Sequence, residues 1–174
     1  MELCFIAYGE CVCRQYDAAL AAAERLRALY PDSAWSPFML GWVHLRAGNH
    51  REAIDYLRQA AGPGPGPQLL GLLGRAYALA GDRATALDFL RQLDPRVVAG
   101  EVDPYFLAWI QMGLGQAEDA LRNLEKAADF KSPHIVHSDF GGLRTDPAWD
   151  AFQGDPRFEK LCESVGMGKD QWPR

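Results

Sequence analysis

The stretch LLGLLGRAYALAGDRATALDFLRQL, residues 69–93, carries the pattern that decides the fold. Its first half sets Leu73 beside Gly74, its centre breaks at Gly81-Asp82, and in its second half Ala86 is followed four residues on by Leu90. Apolar residues recur three and four apart on both sides of the break, the spacing of one face of a helix. A glycine in the break ends the first helix in a left-handed conformation at no steric cost. The stretch therefore reads as two antiparallel helices joined by a tight turn.

The same figure returns along the chain. Ala19, Ala53, Ala86 and Ala120 fall 34, 33 and 34 residues apart, and Ala7, Gly41, Gly74 and Ala108 keep the same spacings. Both columns hold only small residues. Two further columns, Leu20, Ile54, Leu87, Leu121 and Ile6, Leu40, Leu73, Leu107, hold only large aliphatics. Small beside large has a physical reason: helices approach closely where one offers little side chain, and the neighbouring aliphatics fill the groove so made. A fixed period of this length marks a stack of supersecondary units, each burying its apolar face on the next.

The turns fall where hairpins need them, at Gly48-Asn49, Gly81-Asp82 and Gly115-Gln116; the first repeat alone departs, with Arg14 in place of glycine. Ser36-Pro37 and Asp103-Pro104 each pair a capping side chain with a proline suited to a first helical turn. The pattern predicts helices over 2–14, 17–29, 37–47, 50–61, 67–80, 83–93, 104–113 and 117–129. GPGPGP, residues 62–67, reads as a stiff, tight connection, because the column spacing shrinks across it by one residue.

Composition narrows the function classes. The chain has 174 residues, 48% of them hydrophobic, and a net charge of −5. A core of real size follows, and nucleic acid is excluded as a partner because phosphate contacts need clustered Lys and Arg. No apolar run approaches a membrane span, and MELCFIAYGE lacks the form of a signal peptide, so a cytoplasmic protein is expected. Cys4, Cys11, Cys13 and Cys162 show no CxxC spacing and read as reduced thiols. His134 and His137 of HIVH lack a third ligand, so that segment reads as a loop packed on the fourth repeat, and no metal or cofactor is expected. His44 reads as a core or semi-buried histidine. The DFG at 139–141 stands without the other kinase motifs, and His137, Ser138 and Asp139 are adjacent and cannot fold onto one another as a triad. The chain reads as no enzyme.

FMLGWVHLRAGNHREAIDYLRQA, residues 38–60, and the stretch quoted first resemble tetratricopeptide repeats in their Leu-Gly pair, glycine turn and Ala-x3-large pattern, and Pro31 matches the proline that closes such a unit. The resemblance implies an all-α solenoid, a right-handed superhelix of four helical hairpins at about 2–33, 34–66, 67–100 and 101–133, followed by a capping segment and tail over 134–174. VDPYFLAWIQMGLGQAEDALRNLEKAAD and GGLRTDPAWDAFQGDPRFEKLCESVGM resemble the last repeat and end-of-group segment of bacterial tetratricopeptide proteins. Such arrays stand alone or follow an effector, so the resemblance implies either a free-standing scaffold or part of a larger regulator. In DPAWDAFQGDPRF, Asp146 and Asp155 are placed to cap two short helices that begin at Pro147 and Pro156. Trp149, Phe152, Phe158 and Leu161 would then cover the apolar flank of the fourth repeat, since an uncapped solenoid is poorly soluble.

In this family the first helices of successive repeats line the concave face. The residues so placed include Tyr8, Phe38, Trp42, Arg75, Tyr105, Trp109 and Met112, which form the candidate partner groove. An aromatic stripe at helical spacing is also what a core looks like, and Arg75 in the column of Tyr8, Trp42 and Trp109 is what suggests exposure. The expected function is a non-catalytic scaffold that takes a protein or peptide into this groove. A homodimer closed through the aromatic faces and the tail KDQWPR is one alternative; a sensor that stacks a small ligand on Trp42 and Trp109 is another.

Overall fold

The computed structural model describes residues 2–136 and 142–168, and among them every regular element is helical. Eight helices form the array: α1 (Glu2–Val12), α2 (Tyr16–Leu29), α3 (Trp35–Arg46), α4 (His50–Ala61), α5 (Pro67–Leu79), α6 (Arg83–Val98), α7 (Tyr105–Gly113) and α8 (Ala117–Asp129). They pack as four consecutive hairpins, α1 on α2, α3 on α4, α5 on α6 and α7 on α8, and each hairpin rests on its neighbours. The fold is an all-α solenoid.

The column logic is visible in the packing. A Cβ added at Gly41 of α3 would lie 2.7 Å from Cγ of Leu57 in α4 and 3.0 Å from its backbone nitrogen. The hairpin closes that far because the side chain is missing. The turn glycines adopt positive φ, 85° at Gly48 and 90° at Gly81, and Arg14 takes the same conformation at 61°. That costs a residue with a Cβ about 1 kcal/mol; the Arg14 side chain makes an exposed ion pair to Asp150, at 2.7 Å.

Two helices depart from the sequence reading. α3 starts at Trp35, before Ser36, whose hydroxyl donates to the carbonyl of Tyr30 at 2.9 Å instead of capping the helix. α6 runs on to Val98 through Pro95. A proline there costs one amide bond to the preceding turn, yet the helix continues until Ala99 donates to the Pro95 carbonyl and Gly100 turns left-handed at 74°. After GPGPG, α5 packs on α4 and, through Gly71, Gly74 and Gly113, directly on α7.

Beyond the array, α9 (Pro133–Val136) is one turn of helix on α8; the sequence reads it as a loop. His137 and the DFG triplet lie outside the described residues, as do positions 169–174. A 3₁₀ helix (Pro147–Phe152) packs on α7, and α10 (Pro156–Ser164) packs on α8. The side chain of Asp146 accepts from the Ala148 amide, and that of Asp155 from the amides of Arg157 and Phe158, so both aspartates cap as anticipated. Trp149 and Phe158 are fully buried. The effect shows in one column: Leu20, Ile54 and Leu87 stay half-buried, whereas Leu121 on the covered hairpin is 1% exposed. Arg157 pins α10 outside, bonding Glu118 and, through both oxygens, Glu125 on α8.

Candidate functional site

One buried carboxylate gathers side chains from three helices of the array. Asp146 precedes the 3₁₀ helix, and its side chain is buried. Four groups from four segments converge on it: Arg75 of α5 at 3.1 Å, the indole nitrogen of Trp109 in α7 at 2.9 Å, Arg46 of α3 at 3.3 Å, and its own cap partner Ala148 at 2.9 Å. Arg46 also donates to the Thr145 carbonyl at 3.2 Å, and its guanidinium lies 4.5 Å from the ring centre of Trp42. Burial pushes the Asp146 carboxyl up, but Arg46 and Arg75, with the Ala148 amide and the Trp109 indole, outweigh it and hold it below the usual value. Two guanidiniums thus share one carboxylate, which leaves a formal excess of one positive charge in this buried cluster.

Aromatic side chains build the walls. Tyr105, fully buried, accepts from the Trp149 indole at 2.9 Å and meets Trp109 and Trp149 edge-on. Its hydroxyl is raised well above the usual value, first by burial and then by the nearby Asp146. His134 of α9 tilts against Phe106 at 4.9 Å. On the first hairpin, Tyr8 stacks on Trp42 at 5.7 Å. Further along, the ion pair of Arg14 and Asp150 ties the end of α1 to the 3₁₀ helix. Residues 144–152 therefore act as an internal strap that ties α7, α5 and α3 to the end of α1.

This placement corrects part of the sequence reading. Trp42 and Trp109 are 1% and 0% exposed, Tyr105 is equally buried, and Arg75 is an ion-pair partner of Asp146 rather than an open charge. Trp42 already carries Tyr8 and Arg46 against its ring. Of the positions expected to line a groove, Tyr8, Phe38 and Met112 are left half-buried. Two participants escaped the sequence reading. Arg46 has as repeat equivalents Val12, Leu79 and Gly113, so a lone charge in an uncharged column was the available signal. Trp35 fell outside the anticipated helix; it is 57% exposed and stands edge-on to Phe38 at 5.4 Å.

Burial raises the Cys11 thiol to about 12, with Arg46 opposing, and the Cys162 thiol to about 11. His44 is half-buried, as anticipated, and stacks on Tyr56 at 5.4 Å; burial lowers its value. Among the described residues no three His, Cys, Asp or Glu side chains gather as a metal site would require, and no helix is long and apolar enough to cross a membrane.

A hairpin solenoid whose small residues recur every 33 or 34 positions defines a class of interaction scaffolds. The family model of the tetratricopeptide repeat matches residues 14–67 and, overlapping them, 38–97, and the chain is a tetratricopeptide repeat protein. Repeats of this family generally mediate protein–protein interaction and are generally non-catalytic. No curated protein matches the chain.

Proposed function

We propose that this protein is a non-catalytic, cytoplasmic scaffold that takes an extended or helical peptide segment of a partner protein into the open N-terminal part of its concave groove. The observation that carries this reading is the aromatic run Trp35, Phe38, Trp42 and Tyr8. Phe38 and Trp42 lie one turn apart on α3, Trp35 meets Phe38 edge-on, and Tyr8 stacks on Trp42. More than half of Trp35 faces solvent. Large aromatics left accessible on a rigid helical surface are the usual anchors of an interface. In this reading Tyr8, Phe38 and Trp35 touch the partner. Trp42, Tyr105, Trp109 and Arg75 shape the groove from beneath, and the excess positive charge of Arg46 and Arg75 favours a partner segment carrying an acidic side chain.

The test is selection from a displayed peptide library on wild-type protein, followed by affinity measurement on variants. We expect selected peptides to carry apolar or aromatic residues with a nearby Asp or Glu. Trp35→Ala and Phe38→Ala should each weaken binding by about 10- to 100-fold, the loss typical of a hot-spot truncation, with an unchanged melting temperature. Peptides that bind both variants as tightly as wild type would place the working surface elsewhere.

A further inference from the structure

We propose that the outer face of α1 is a docking surface for a second copy of this chain, joining two arrays end to end about a two-fold axis. This surface is distinct from the concave groove. In the repeat register Phe5, Met39, Leu72 and Phe106 are equivalent, as are Gly9, Val43, Ala76 and Ile110. Met39, Leu72 and Phe106 are 3%, 1% and 6% exposed, whereas Phe5 is 64% exposed. Ile6 repeats the contrast: it is 43% exposed, and its equivalents Leu40, Leu73 and Leu107 are buried. Positions that the array seals everywhere else are thus open on α1.

The chain itself shows how such a face is sealed. Phe106 of α7 sits over Gly71 of α5, and Ile110 over Gly74, so closely that a Cβ at those glycines would lie 3.0 Å and 2.6 Å from them. α1 carries both halves of that arrangement on one face. Phe5 is the projecting side chain, and Gly9, one turn on, is a gap in the projecting row, where the side chain that Ile110 supplies on α7 is missing and an added Cβ would meet only open space. A face that holds both a projection and a gap fits its own copy: antiparallel α1 helices crossing between the two positions set each Phe5 over the other's Gly9.

Sedimentation of the full chain from about 1 to 300 µM tests this, since an interface of one helix per copy lies at the small end of stable contacts. The expected mass rises with concentration from 19.3 kDa toward twice that value. Phe5→Glu should remain at the monomer mass throughout. Gly9→Leu, whose Cβ meets nothing within 4 Å in the monomer, should weaken association at least tenfold, and it decides the matter if Phe5→Glu unfolds. Trp35→Ala/Phe38→Ala should associate like wild type. A wild-type mass that stays at the monomer value overturns the proposal and leaves the face to another occupant. Association undiminished in both α1 variants overturns it too, by placing the contact elsewhere.

Discussion

Asp146 does two jobs with one carboxylate, and the second dominates its energetics. Capping an N-terminus is worth about 1 kcal/mol. Serving as the counter-charge for two buried guanidiniums is worth more, because removing one partner strands charge in a medium that solvates it poorly. Asp146→Asn keeps the shape and most hydrogen-bonding atoms but leaves Arg46 and Arg75 facing each other without an anion. We expect a loss of about 3–5 kcal/mol in urea unfolding. The folded carboxyl titrates below its ordinary value of 3.8, so the unfolded chain binds the proton more readily. Its contribution is then present above that ordinary value and is lost as the pH falls through the lower, folded one. Wild-type melting temperatures between pH 2 and 5 should fall steeply with acid, and those of Asp146→Asn should fall less. Sequence reading reached the cap, because Asp-Pro before an aromatic is a local signal. It could not reach the ion cluster, whose arginines stand 71 and about 100 residues away and obey no period.

Helices in this array owe their packing to missing side chains, and two mid-helix glycines of opposite circumstance show it. Gly41→Ala gains helix propensity of up to about 1 kcal/mol, but its methyl would collide with Leu57 at 2.7 Å and with backbone at 3.0 Å. Overpacking of that kind costs about 1–3 kcal/mol, so the net change is destabilising. Gly9→Ala meets open space and should stabilise the dilute protein by up to about 1 kcal/mol. Thermal unfolding of the two variants gives opposite signs if the column argument is right. The array helices were legible because four columns in one register fix both the period and the buried face. The end of α6 was not, since Pro95 reads as a stop while packing and the Gly100 turn carry the helix onward. The fate of Trp42 and Trp109 was hidden for a different reason: whether an aromatic stripe is core or groove depends on what later covers it, and the covering strap is distant in sequence.

For a plain solenoid, stability is a sum over neighbouring repeats, and the ends come apart first. This molecule departs from that picture because the strap bonds α1, α3, α5 and α7 at once, through Arg14, Arg46, Arg75 and Trp109. Calorimetry should therefore show one cooperative transition for the full chain. Truncation after Asp129 removes the strap and the α10 cap together. It should produce aggregation, or a broadened transition shifted down by well over the few degrees of a typical point substitution. An equally stable and soluble truncated protein would refute both roles.

The internal strap also sets an order of events during synthesis. Thr145, whose carbonyl receives Arg46, lies 99 residues downstream of it. A ribosome adding about 5–20 residues per second leaves the first two hairpins waiting on the order of 5–20 s before their counter-charge emerges. Over that interval the guanidinium of Arg46, joined later by that of Arg75, stands among the nascent aromatics without its anion. The cluster closes only when the last sixth of the chain has left the tunnel, which makes the newborn protein a different binding surface from the finished one.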